Sequence, residues 1–265
     1  MPEYSIKGGE QGAKRLDILF NTLEGSTNEF LNRAELNQGI HCLDLGCGNG
    51  GVSFLLADLT GSEGQVLGLD IDQKNIQIAN ETASKKNIEN ISFQRFDAYE
   101  LDNNNEYDLV YSRFLLSHLA SPETVLNRIF DSLKTGGTIL VEDTDFTGHF
   151  CYPNSAHFDQ YVSLYQKLLK IRGGNANRGQ ELVGMLEKAG FTDIEFTISQ
   201  PAHTSGNGKL MAEITFEAVF QSLIDEQLID KKEFSEIHKG LIEFRKREDT
   251  LMSLPRIFQV KARRE

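Results

Sequence analysis

The 265-residue chain predicts an α/β protein, with a mostly parallel sheet, helices on both faces, and extra helices at the N-terminus and between the last two strands. Three observations carry this expectation. Short apolar runs alternate with segments of helical periodicity; a glycine-rich turn follows the first run; and a helical insertion separates two terminal strands. The buried parallel strands are expected at Ile40–Leu45, Gln65–Asp70, Ile91–Phe96, Tyr107–Ser112 and Thr138–Asp143. A sixth strand at Phe191–Ile198 and a seventh at Pro255–Ala262 are expected to pair as neighbours.

The connecting segments carry helix signals. Gly51–Leu59 follows the first strand, and Asp72 is placed to cap a helix running to about Lys86. Ser121-Pro122-Glu123 reads as a helix start, with serine accepting a backbone N–H, proline at the first helical position and glutamate at the positive dipole end. Lys134-Thr135-Gly136-Gly137 reads as the turn into the fifth strand. Beyond it, Phe158, Tyr161, Val162, Tyr165, Leu168 and Leu169 form a helical stripe ended by Gly173-Gly174. Asn177 with Gln180 is expected to cap the next helix, and Asp230 with Glu233 has capping-box spacing.

No repeat or low-complexity linker divides the chain, so 1–265 is expected to be a single domain. Within it, 1–35 reads as an N-terminal helical segment, carrying Tyr4, Gly8-Gly9, Arg15, Leu16, Leu19, Phe20 and Leu23. Segment 36–145 reads as the strand–helix core, and 146–190 and 205–250 as helical elaborations.

The formal charge is 27 − 39 = −12 and the sequence pI about 5.0. Such a surface repels phosphate backbones and anionic lipid, so neither nucleic acid nor membrane is the expected partner. The basic cluster Arg245-Lys246-Arg247 reads as a solvated helix face. Cys42, Cys47 and Cys151 are an odd set without framework spacing, read as reduced thiols. With no apolar leader and no apolar run of spanning length, the expected compartment is the cytoplasm.

The stretch CLDLGCGNGG (42–51) has two parses. Gly46, Gly48 and Gly51 fit a dinucleotide loop; Gly46, Gly48 and Gly50 fit an S-adenosylmethionine loop. Asp70, ending the second strand, serves the ribose of either. Asp44 discriminates, because a carboxylate there is unfavourable beside a pyrophosphate but suits a ligand with ammonium and sulfonium charges. Asp97, with Ala98, ends the third strand where a carboxylate can accept from an adenine amino group. Five alternating units followed by a terminal strand pair also differ from two matched mononucleotide halves.

At these residues the chain resembles the class I S-adenosylmethionine-dependent methyltransferases. The matching blocks are LDLGCGNG (43–50), VLGLD (66–70), FDA (96–98), YDLVYSRFLLSHL (107–119) and LKTGGTILVED (133–143). The resemblance implies a Rossmann-like seven-stranded sheet whose last strand is antiparallel. S-adenosylmethionine is implied as the cofactor, with S-adenosylhomocysteine as product. It also implies that Gly46 and Gly48 contact the methionine moiety, Ser112 its end, Asp70 the ribose, and Asp97 with Ala98 the adenine; Asp44, Cys47, Ile71 and Arg113 complete the expected cofactor-binding set. It makes 1–35 a helical lid, 36–145 the cofactor-binding core, and 146–190 and 205–250 elaborations on the substrate side. Thr135 stands where the family usually has proline.

The implied activity is in-line methyl transfer to an oxygen or nitrogen of a small organic molecule. The alternative is a cofactor-binding protein without methyl transfer, either pericyclase- or isomerase-like or a sensing subunit. His118, Asp143 and Asp145 follow strands four and five and are the candidate catalytic groups, His118 as a base near neutral pH. Arg113 suits either the cofactor carboxylate or a substrate anion, and equally a structural pair with Glu142. Glu142, Asp143 and Asp145 lack the further acid or amide of a divalent-metal set, so no metal is expected. Phe146, His149, Phe150, Tyr152 and His157 are expected to wall an aromatic pocket. The N-P-P-aromatic motif of amino-directed nucleic-acid methylases is absent after strand four, where YSRF stands.

Overall fold

The computed structural model describes residues 9–265, with side chains from residue 12. Tyr4 and Gly8 lie outside the described residues. A seven-stranded sheet forms the centre: β1 (His41–Leu45), β2 (Gln65–Asp70), β3 (Ile91–Arg95), β4 (Tyr107–Arg113), β5 (Leu133–Asp145), β7 (Thr192–Ser199) and β10 (Arg256–Arg263), in the order β3-β2-β1-β4-β5-β10-β7. β1 through β5 run parallel, while β10 is antiparallel to both β5 and β7. This is the expected Rossmann-like sheet with an antiparallel last strand. Strand order reverses between β1 and β4, and their carboxyl ends open a crevice at that point.

β5 begins five residues earlier than the sequence suggested. Leu133 pairs with Tyr107, and the expected turn residues Gly136 and Gly137 exchange backbone hydrogen bonds with Arg264. The antiparallel neighbour, reaching past the turn, straightens it. A small second sheet, β6 (Cys151–Tyr152), β9 (Leu251–Ser253) and β8 (Ala202–His203), has no counterpart in the periodicity, because its strands are two or three residues long.

Helices α1 (Gly9–Arg33) and α2 (Gly51–Thr60) pack on one face, with α3 (Gln73–Lys86) beyond them; α4 (Pro122–Ser132) and α6 (Leu182–Lys188) pack on the other. α5 (Ala156–Ile171), α7 (Asn207–Ala218), α8 (Phe220–Asp225) and α9 (Lys231–Lys246) assemble a second apolar cluster around Phe158, Tyr161, Phe216 and Leu241. Asp72 caps α3 by accepting from Lys74 and Asn75, and Asp230 with Glu233 closes the expected capping box on α9.

Two expected caps take other forms. The Ser121 hydroxyl makes no cap bond, and its N–H donates to the Tyr99 hydroxyl instead. Asn177 begins a short 3-10 turn rather than α6; its side chain accepts from Phe146 N–H and donates to Gln166, tying the loop after β5 to α5.

α1 is held by both polar and apolar contacts. Phe30 and Leu31 join Leu109, Tyr111 and Leu140 of the sheet, and Leu23 packs with Met211, Leu254 and Ile257. Burial of each such side chain contributes about 1.5–3 kcal/mol. Thr27 donates to the fully buried Glu142, which also accepts from the Tyr111 hydroxyl. Burial raises the Glu142 pKa, against the nearby Arg113 charge and these hydrogen bonds.

Candidate functional site

A cavity of about 310 Å³ opens at the carboxyl ends of β1, β2 and β4, beneath α1. The turn after β1 forms its floor at one end. Gly46 has φ +81°, a left-handed conformation that disfavours any Cβ, and a Cβ there would lie 3.2 Å from Leu115. Asp70 fixes this turn: its Oδ2 accepts from Gly48 N–H at 2.8 Å and its Oδ1 from Asp72 N–H at 2.8 Å. Its pKa is raised, burial outweighing the two backbone donors.

Asp44 is 2 % exposed and accepts from the Ser53 hydroxyl at 2.5 Å. Burial pushes its pKa up to about 6, opposed by Ser53 and by the Arg113 charge. Asp97 accepts from Tyr99 N–H at 3.0 Å and, with Ala98, closes the far end. Ile71, an apolar side chain 47 % exposed, also lines the cavity. Of the ten expected cofactor residues, Asp44, Gly46, Cys47, Gly48, Asp70, Ile71, Asp97, Ala98 and Arg113 line this one cavity.

Ser112 does not. Its hydroxyl donates to the Leu45 carbonyl at 2.9 Å and ties β4 to β1 beneath the floor. Arg113 donates to the Thr27 hydroxyl at 3.1 Å and lies within 6.0 Å of the Phe20 ring centroid. Arg113 thus faces the cavity, and its charge acts on Glu142 and on Asp44, but among the described residues it forms no ion pair with Glu142.

The candidate catalytic groups separate. His118 lines the cavity at the end of a 3-10 turn, Leu116–His118. Burial, then the Arg15 charge, lowers its pKa to about 4, so it is neutral at pH 7 rather than poised near neutrality. Asp143 and Asp145 do not line the cavity. Asp143 accepts from Ser117 N–H and Thr144 N–H, holding the turn that carries His118; burial raises its pKa to about 6. Asp145 accepts from Thr147 and pairs with Arg256 at 2.6 Å. The alternation of side chains along β5 sends both carboxylates away from the crevice, and Glu142 toward α1.

The opposite end of the cavity is aromatic. Phe146, His149, Tyr161, Tyr165, Met211 and Thr215 line it, with Phe146 stacked on Tyr165 at 4.3 Å. From the stretch expected to wall a pocket, Phe146 and His149 do so; Phe150, Tyr152 and His157 do not, and Tyr152 is 70 % exposed. α1 roofs both ends through Arg15, Leu16, Leu19, Phe20 and Leu23.

Two lining residues had no sequence signal of their own. Asn49 donates to Asp17 at 2.7 Å and to the Ala13 carbonyl, coupling the glycine turn to α1. Asn75 has a buried Oδ1 without a hydrogen-bond partner. Each lay inside a motif or helix whose neighbours explained it. Among the described residues, one grouping has metal-like proximity, Glu213, Glu217 and His238; it lies on α7 and α9, away from the cavity, and Arg245 pairs with Glu213 at 2.7 Å.

Residues 36–200 match the methyltransferase domain family. The chain belongs to that family. Among its relatives, phosphoethanolamine N-methyltransferase 1 of Arabidopsis thaliana is 30% identical over 64% of this chain and 32% of its own length. The demethylmenaquinone methyltransferase of Lactobacillus johnsonii is 26% identical, covering 68% of this chain and 79% of that protein. A putative methyltransferase of Bacillus halodurans shares the fold, with a TM-score of 0.62 at 18% identity, over 89% of this chain and 97% of that one. The chain spans about a third of the length of the plant relatives it matches. No described helix is long and apolar enough to cross a membrane.

Proposed function

We propose that the protein transfers a methyl group from S-adenosylmethionine to an oxygen or nitrogen of a small organic molecule. The observation that carries this reading is the single cavity joining the acid-lined glycine turn to an aromatic chamber under α1. Its residues fit the cofactor. Four carboxylates, Asp44, Asp70, Asp72 and Asp97, line the turn end, as a cationic ligand requires, and Asn75 offers a buried unpaired acceptor. Asp70 spends one lone pair per oxygen on the backbone and keeps others for ribose hydroxyls. The relatives named for phosphoethanolamine and demethylmenaquinone support a small-molecule acceptor.

When bound, S-adenosylmethionine supplies an electrophilic methyl carbon, and the carbon–sulfur pair returns to sulfur as the acceptor's lone pair bonds to carbon. The chain's part is alignment and exclusion of water. The glycine turn admits close backbone approach, while Leu16, Leu19, Phe20 and Leu115 cover it. Asp44, destabilised as an anion by burial, is relieved by a cation beside it. His118 and His149, both neutral at pH 7, are the imidazoles on the wall that can accept a hydrogen from the incoming nucleophile.

Calorimetric titration with S-adenosylhomocysteine tests the binding half of the reading. Saturable binding by the natural protein, abolished in Asp70→Ala, is expected; no binding by either removes the proposal. Release of labelled S-adenosylhomocysteine with a panel of small hydroxyl and amine acceptors tests transfer. Tight cofactor binding with silence across that panel favours the sensing or cyclase-like alternative.

A further inference from the structure

The two ends of the cavity carry opposite charge. All four lining carboxylates belong to the turn end, whereas the chamber formed by α5, α7 and the loop after β5 contains none. It contains instead two polar side chains whose bonding is incomplete. Arg15, on α1, is 8 % exposed; its Nε has no hydrogen-bond partner, and it forms no ion pair among the described residues. Burial lowers the His118 pKa and raises that of Tyr161; the Arg15 charge adds to the first shift and opposes the second, which places the guanidinium between the turn after β4 and α5. The other cavity-lining arginine of this end, Arg172, is paired with Glu226 at 3.0 Å.

His149 is the second. Its Nε2 lies 2.9 Å from the Ser253 carbonyl, which can only accept, so Nε2 carries the hydrogen and Nδ1 presents a lone pair. That Nδ1 is buried without a partner, within a ring of Phe146, Phe158 and Tyr161. A buried guanidinium without an anion and a buried acceptor without a donor are both costly to maintain, and a ligand supplying the missing groups removes both costs.

We propose that the methyl acceptor is an oxyanion, a carboxylate or phosphate that pairs with Arg15. Its flat or apolar body lies against Phe146, Tyr161 and Tyr165, and its hydroxyl or amine hydrogen is donated to His149 Nδ1. The guanidinium fork matches the two oxygens of such a group. The inference rests on the methyl-transfer reading for the word acceptor, but not for the anion site itself.

The probes are 4-hydroxybenzoate, benzoate, phenyl phosphate and the neutral 4-hydroxybenzamide, titrated calorimetrically with and without saturating S-adenosylhomocysteine. The natural protein is expected to bind at least one of the two hydroxyl- or phosphate-bearing anions tenfold or more tighter than the amide. Arg15→Gln abolishes that preference and Arg15→Lys retains part of it, while S-adenosylhomocysteine affinity stays within twofold in both. His149→Leu removes the preference for 4-hydroxybenzoate over benzoate. Circular dichroism confirms the fold of each variant, and the lysine variant carries the test if the glutamine variant does not fold. Equal affinity for anion and amide, or no saturable binding of either anion, overturns the proposal. So does a tenfold loss of S-adenosylhomocysteine affinity in Arg15→Gln, which would give the guanidinium to the cofactor. If the natural protein binds the anions but not S-adenosylhomocysteine, the cofactor reading fails and the anion site stands.

Discussion

The two ends of the cavity are built by different means. At the turn end the backbone does the organising: Gly46, Gly48, Asp70 and Asp72 follow two adjacent strand ends, Gly48 and Asp72 donate main-chain N–H groups to the Asp70 carboxylate, and Gly46 N–H donates to the Leu69 carbonyl. At the aromatic end side chains do it: Arg15, Phe146, His149, Tyr161 and Met211 come from four segments spread over nearly two hundred residues and meet only through helix packing. A site made by backbone geometry dictates its residues over a few positions. A site made by packing dictates only size and polarity, and those at distant positions.

The strongest way to break the contrast is Asp70→Ala. Both oxygens hold backbone N–H groups, each such charged hydrogen bond contributing about 1.5–3 kcal/mol. S-adenosylhomocysteine affinity is expected to fall at least about a hundredfold, and calorimetry measures it. Next is Gly51→Ala, whose new Cβ would stand 2.7 Å from the Phe20 ring of α1. A cost of about 1–3 kcal/mol is expected from such overpacking. Denaturant melts should show it, and Phe20→Ala in the same chain should restore most of it. No recovery would mean the strain lies within the turn.

His149 sharpens the aromatic side. Its folded pKa is down to about 3, below the ordinary value of 6.5, because burial outweighs the Ser253 bond. The unfolded chain therefore binds the additional proton between those values, and the contribution to stability is full above pH 6.5 and declines as pH falls. His149→Phe should flatten the stability profile between pH 7 and 5.5 by at most about 1.4 kcal/mol per pH unit. An unchanged slope would place this imidazole in solvent. The smallest effect is expected at Tyr152, whose exposed ring faces away from the chamber. Tyr152→Ser should change stability by less than about 0.5 kcal/mol and leave acceptor binding unchanged.

The same contrast explains what could be read from the sequence. Asp44, Asp70 and Asp97 were legible because strand ends place them by alternation and turn length alone. The parallel run of the first five strands followed from the strand–helix rhythm, and the pairing of β7 with β10 from the terminal strand pair. Asp143 and Asp145 misled because proximity to a strand end does not say which face a side chain takes; Asp143 instead braces Ser117, and Asp145 is drawn off by Arg256. Phe150, Tyr152 and His157 misled in a similar way, since an aromatic run in a loop divides between cavity and surface according to turns that no periodicity marks. His118 was found by position, but its basicity was not, because that depends on burial and on Arg15, a residue more than a hundred positions earlier.

The region recognisable as family begins at residue 36, yet the sheet face that this region builds is finished by residues before it. Cys42, Leu109, Tyr111 and Leu140 are covered by Phe30 and Leu31, and Glu142 receives one of its donors from Thr27. A fragment cut at the family boundary would present that apolar surface, and a half-satisfied carboxylate, to water. The border that the family match draws and the border that packing draws do not coincide in this chain.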